Sequence, residues 1–139
     1  MPFEIWINKE TPLELVNQND VVVEDWEKEG RVQLLFTSFL ETNEEMITGE
    51  AMLKRAKRLG RALGQQALEQ IKSFPGIVPH EHKSKVLLFP ARVLQRGNLR
   101  LVPCLYPNGA GYDVDFVWLG HTSFGDGCVI VRNALKNAS

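Results

Sequence analysis

The chain has 139 residues, 44% of them apolar and 24% charged, with a formal net charge of −1. That length permits one domain with a substantial core, and a composition near globular averages excludes collagen-like, disordered and low-complexity chains. No apolar run approaches the roughly 18 residues needed to cross a bilayer, and Met1-Pro2-Phe3-Glu4 lacks the basic and apolar regions of a signal peptide. The expectation is therefore a cytoplasmic single domain over residues 1–139 with no membrane partner.

Phe3 to Ile7 is a short β-like run, and Thr11-Pro12-Leu13-Glu14 has the capping pattern of a brief helix to about Asn17. Val21-Val22-Val23 and the segment from Arg31 to Leu40 are both β-rich. The polar stretch Glu27-Lys28-Glu29-Gly30 between them predicts an antiparallel hairpin with Trp26 near its tip. Thr42 to Phe74 reads as one long amphipathic helix: Thr42 and Glu45 form a capping box, Pro75-Gly76 ends the run, and Met46, Met52, Leu53, Ala56, Leu59, Gly60, Leu63, Ala67, Ile71 and Phe74 fall on one face at 100° per residue. Gly49, Gly60 and Gly64 near that face suggest close backbone approach to a strand or a second helix.

The remainder reads as a β-meander. Lys85 to Gln95 and Leu99 to Tyr106 flank the loop Arg96-Gly97-Asn98, Tyr112 to Leu119 follows a loop at residues 107–111, and Cys128 to Arg132 supplies a fourth strand. The implied register sets Pro90 close to Pro103, which predicts a bulge or an edge, since neither can donate to the ladder. The fold class expected is α+β, with one long helix packed on an antiparallel sheet built from the N-terminal hairpin and the C-terminal meander. Alternation about the 107–111 loop places Val102, Cys104, Tyr106, Tyr112, Val114, Phe116 and Trp118 on one face. Leu99, Leu101, Pro103, Leu105, Asp113, Asp115, Val117 and Leu119 then share the other. Both faces are largely apolar and one helix covers only one. Leu99, Leu101, Leu105, Val117 and Leu119 therefore become a candidate interface or ligand face, and a homodimer is the expected partner arrangement.

Charge is divided along the chain. Up to Glu50 there are twelve acids against three bases, and beyond it thirteen bases against five acids. Either the two parts neutralise each other or a charged partner does so. Lys54, Arg55, Lys57, Arg58 and Arg61 place five cations on one helix face and form a candidate surface for nucleic acid or another polyanion. That reading is the alternative, because charge runs are commonly solvated faces and no aromatic stacking platform or Gly-rich loop accompanies this one.

His80-Glu81-His82 in an extended link would aim two imidazoles the same way, so His80, His82 and His121, or one of Asp113 and Asp115, are candidate metal ligands. Asp113 and Asp115 are also spaced as a carboxylate pair on one strand face. Cys104 and Cys128 form no C-x-x-C pair and read as reduced, small hydrophobes. Pro107-Asn108-Gly109-Ala110-Gly111 is not a phosphate-binding loop. His121, Ser123 and Asp126 lack a nucleophile elbow, and no motif implies a cofactor. The functional expectation is a small soluble binding or interaction domain, a homodimer without catalytic activity of its own; polyanion binding and a small metal-dependent enzyme are the alternatives.

Overall fold

The computed structural model describes residues 4–13, 15, 17–120 and 124–136. In chain order it contains β1 (Glu4–Ile7), β2 (Val21–Asp25), β3 (Gly30–Thr37), β4 (Met46–Ile47), α1 (Gly49–Leu59) and α2 (Gln65–Ser73). Two single-turn 3-10 helices (Pro75–Ile77 and His80–His82) lead into β5 (Val86–Leu88), β6 (Arg92–Arg96), β7 (Leu99–Asn108), β8 (Gly111–Trp118), β9 (Phe124–Gly125) and β10 (Cys128–Asn133). The fold is α+β. Seven strands run in the order β1-β3-β10-β5-β7-β6-β2, β8 completes the sheet by pairing with β7, and β4 with β9 makes a separate two-stranded ribbon. Every pairing is antiparallel except β10 with β5.

The single long helix expected over Thr42–Phe74 does not form. Its true start is Thr48, whose Oγ1 accepts from the Ala51 N–H at 3.0 Å, and the capping-box mimic at Thr42–Glu45 lies in a turn before β4. The run then breaks after Leu59. Gly60 takes φ +81° and Arg61 φ +56°, both left-handed, and α2 begins at Gln65. This break carries the chain through the sheet. Along β5, β7 and β10 the side chains alternate. Leu87, Leu105, Val129 and Val131 join Ala67, Leu68 and Ile71 of α2 in one core. Leu88, Cys104 and Ile130 join Met52, Leu53 and Ala56 of α1 in the other. Successive strand residues face opposite sides, so the two helices cover opposite faces of the same strands. That arrangement explains why both faces are apolar, as in sheets buried on both sides.

The crossing segment lies in the plane of the sheet. β5 pairs with β10 only over Cys128–Ile130, and residues 61–63 take up the next positions along β10. Leu63 N–H donates to the Val131 carbonyl (3.0 Å), Asn133 N–H to the Arg61 carbonyl (2.8 Å) and Ala91 N–H to the Leu63 carbonyl (3.1 Å), with an antiparallel bridge between Ala62 and Arg132. Every one of these backbone groups is thereby satisfied, and all but that of Arg61 belong to buried residues. Of the three glycines expected to mark a close backbone approach, Gly49 does so, Gly64 lies against side chains of Glu27 and Arg92, and Gly60 has open space at its Cβ position. A Cβ on Gly49 would lie 2.5 Å from the Leu119 Cα, and one on Gly64 would lie 3.3 Å from the Glu27 carboxylate.

Four further expectations are corrected. The N-terminal hairpin is absent, because β3 pairs with β1 and β10 while β2 pairs with β6. The polar stretch between β2 and β3 spans a wide separation, not a tight turn. The described residues between Thr11 and Asn17 form no helix; Glu14 and Val16 lie outside the described residues. The β7–β8 register also differs: Asn108 pairs with Gly111, with Gly109 at φ +63° in a two-residue turn. A two-residue turn, instead of five, shifts the pairing by one. Leu101, Pro103 and Leu105 therefore share a face with Trp118, Phe116 and Val114, and Val102 and Cys104 with Val117 and Asp115. The strand expected over Lys85–Gln95 is interrupted at Phe89–Ala91. There the register against β7 changes between Leu88↔Cys104 and Leu94↔Leu101, and Phe89 N–H reaches the Pro103 carbonyl at 3.1 Å.

Candidate functional site

The acidic N-terminal part and the basic remainder meet in one fold. Asp20 holds Arg96 through two bonds of 2.7 and 2.9 Å, Glu24 pairs with Lys57 (2.7 Å) and Arg100 (3.0 Å), and Asp25 pairs with Arg92 (3.3 Å). Glu41 lies 3.6 Å from Arg58, and Glu44 grips Arg55 with both carboxylate oxygens. The Arg55 guanidinium lowers the Glu44 carboxyl to about 2, and Arg96 likewise lowers Asp20. The stripe Lys54, Arg55, Lys57, Arg58 and Arg61 is therefore largely spent: three of its five cations are paired, Lys54 stands exposed, and Arg61 sits on the crossing segment away from α1.

Among the described residues Lys54, Lys72, Lys83 and Lys85 also lack a carboxylate within 4 Å, but three other such cations share one site at that crossing. Lys28, Arg61 and Lys136 line a cleft of about 330 Å³ whose walls include Trp26, Leu63 and Leu135. Among the described residues none of the three cations has a carboxylate within 4 Å. Arg61 is pre-oriented. Its Nε–H donates to the Asn133 carbonyl at 3.0 Å, its own carbonyl accepts the Asn133 N–H, and its terminal nitrogens have no acceptor among the described residues. Arg132 adds a fourth positive charge nearby. It is buried and donates to the carbonyls of Leu59 (2.6 Å) and Gly60 (2.9 Å), closing the end of α1 with neutral acceptors only. Desolvation, with Arg61 nearby, lowers its pKa. A carboxylate or phosphate in the cleft would meet an arginine fork and two lysines in a partly enclosed site, the setting in which charge-assisted bonds are strongest.

Glu27 makes the crossing possible. It is 5% exposed, and its carboxylate accepts from the backbone N–H groups of Gly64 (2.7 Å), Gln66 (3.1 Å) and Ala67 (3.2 Å), doing for α2 what its own N-cap Gly64 cannot. Burial pushes the Glu27 pKa up, although those three bonds and Lys9 pull it down. Trp26 beside it contributes an indole Nε1–H with no acceptor among the described residues.

The other candidates are dispersed. Leu105 and Leu119 are fully buried and Leu101 nearly so; only Leu99, 38% exposed, and the half-buried Val117 reach solvent. The face that suggested a partner subunit is divided by the corrected register: Leu105 packs in the core with α2, while Val117 and Leu119 belong to the core with α1. His80 and His82 lie on a 3-10 turn instead of an extended link, so they do not point together. His82 stacks on Phe36 at 5.2 Å between ring centroids, and His121 lies outside the described residues. No group of three His, Cys, Asp or Glu among the described residues is placed to hold a metal. Asp113 accepts from Asn108 Nδ2 (2.7 Å), and Asp115 from the Phe116 N–H (2.8 Å). Burial pushes the Cys104 thiol up to about 12 and raises Cys128 as well, so neither is a thiolate at neutral pH. No described helix is long and apolar enough to cross a membrane.

The cleft is not legible in the sequence because its residues come from three distant segments. The sequence pattern places Lys28 in a hairpin turn, Arg61 on a helix face, and Leu135 and Lys136 at the end of the chain. The one signal pointing to the crossing is the pair Gly60 and Gly64 bracketing Arg61. Comparison with protein-family models, with curated proteins and with solved structures finds no match for this chain.

Proposed function

We propose that this protein is a binding domain, not an enzyme, and that its ligand is a small anion bearing a carboxylate or phosphate, held in the cleft at the sheet crossing. The observation that carries this reading is the distribution of charge. Carboxylates of the N-terminal part take up Arg55, Lys57, Arg58, Arg92, Arg96 and Arg100, while Lys28, Arg61 and Lys136 are left around one cleft with Arg132 behind them. The binding reading is favoured over catalysis by the lining itself. Among the described residues it supplies cations, an amide and apolar walls, and no carboxylate, imidazole or thiol for proton transfer or attack at neutral pH. A small ligand is favoured over a nucleic acid by the neutralised helix stripe and by the size of the cleft.

Calorimetric titration with pyrophosphate and with citrate tests the proposal. One site per chain is expected, weakening with added salt, and Arg61→Gly should lower affinity at least tenfold, about 1.4 kcal/mol. Glycine suits the left-handed backbone at this position, so the variant is expected to fold. Unchanged affinity in Arg61→Gly would overturn the reading. So would a chain that ignores both anions yet binds a 20-base-pair duplex with a loss in Lys54→Gln.

A further inference from the structure

A second concave surface lies on the α2 side of the sheet, away from the crossing, and its chemistry is different. It is a groove of about 690 Å³ between β1, the segment after it, and α2. Trp6 on β1 lines it and is 61% exposed. Along α2 the lining residues are Gln66, Glu69, Gln70 and Ser73, spaced i, i+3, i+4 and i+7, so they form one polar stripe while Ala67, Leu68 and Ile71 turn into the core.

The two glutamines are fixed, not free. Gln70 Nε2 donates to the Trp6 carbonyl at 2.6 Å and Gln66 Nε2 to the Thr11 carbonyl at 2.8 Å. Each bond settles the orientation of its amide and leaves the side-chain oxygen and the second N–H for a ligand. Asn8 is anchored similarly: its Oδ1 accepts the Glu10 N–H at 3.0 Å, leaving its amide N–H groups available. Glu69 is the sole ionisable side chain in the lining among the described residues, and none of them brings a cation to the groove.

We propose that this groove binds an uncharged, polyhydroxylated chain, an oligosaccharide, independently of the anion cleft. The warrant is the match of chemistry. A sugar ring has one face of C–H groups, which stacks on an exposed indole, and a rim of hydroxyls, each both donor and acceptor. Oriented amides together with a carboxylate serve such a rim, because they offer fixed donors and acceptors side by side. A polyanion is disfavoured by Glu69 and the lack of cations among the described lining residues. A purely apolar ligand would leave the amide groups unpaired.

The test uses the whole chain against maltohexaose, cellohexaose and chitohexaose by titration calorimetry, with a printed glycan array to extend the set. Binding to at least one glycan is expected. Trp6→Ala should weaken it tenfold or more, Trp6→Phe should keep it within about threefold, and Arg61→Gly should leave it unchanged. Trp6 lies outside both cores, so its variants should keep the wild-type unfolding midpoint; Ser73→Arg, an exposed substitution that fills the groove, provides a second probe and should abolish binding. The proposal fails if no glycan binds, or if binding survives both Trp6→Ala and Ser73→Arg. Capture of a neutral Gly-Ser peptide in preference to every glycan would also overturn it.

Discussion

Replacing Glu27 tests the crossing most directly. In Glu27→Ala the N–H groups of Gly64, Gln66 and Ala67 lose their acceptor at a buried position. An N-cap loss alone costs about 0.5–2 kcal/mol, and each buried donor left unpaired costs about 1–3 kcal/mol, although water entering the gap reduces the sum. We expect about 3 kcal/mol, a large fraction of the roughly 5–15 kcal/mol that holds a domain of this size. Glu27→Gln should cost only about 1 kcal/mol. One amide oxygen in the place of Oε2 keeps the Gly64 and Ala67 bonds, the Gln66 bond is lost, and removal of a buried charge offsets part of that loss. The raised pKa adds a signature. Its folded value lies above the ordinary 4.5, so between those two values the native state binds more protons than the unfolded chain. Glu27 therefore makes the protein more stable as pH falls through that window, and the gain levels off below about 4.5. Urea unfolding followed by far-UV circular dichroism at pH 7 and pH 5 measures both effects, and the pH 5 gain should vanish in Glu27→Gln. The reasoning is refuted if Glu27→Ala falls within about 0.5 kcal/mol of wild type, or if Glu27→Gln is as damaging as Glu27→Ala.

Two further outcomes rest on named geometry. Gly49→Ala places a Cβ 2.5 Å from the Leu119 Cα, backbone that cannot yield cheaply, so it should cost about 2 kcal/mol or more despite alanine's better helix propensity; thermal unfolding measures it. Glu44 behaves oppositely to Glu27 with pH. Arg55 holds its pKa at about 2, so its stabilising contribution is complete above about 4.5 and is lost as pH falls from there towards 2. Glu44→Gln should flatten that part of an acid-unfolding curve, and an unaltered curve would show that the Arg55 pair does not persist in solution.

The sequence by itself determined the class, much of the cores and the charge division, because these depend on composition and short-range pattern; Met46, Leu59 and Phe74, expected on the apolar face, are exposed. β1, the strand from Cys128 and the core membership of Ala56, Ala67 and Ile71 were all legible as alternation or helical period. The double apolarity of β7 was legible too, and it reported a sheet covered on both sides. What it could not report was that one amphipathic run supplies both covers. Met52 and Leu53 share a helical period with Leu63 and Ala67, and a hydrophobic pattern does not distinguish one long helix from two that pass to opposite faces through a short gap. Tertiary structure decided that break, since residues 61–63 gain backbone partners on Val131, Asn133 and Ala91 while Glu27, distant in sequence, caps α2. It also decided the cleft. Lys28, Arg61 and Lys136 carry no joint signal along the chain, and only the crossing brings them together after the carboxylates have claimed most of the other cations.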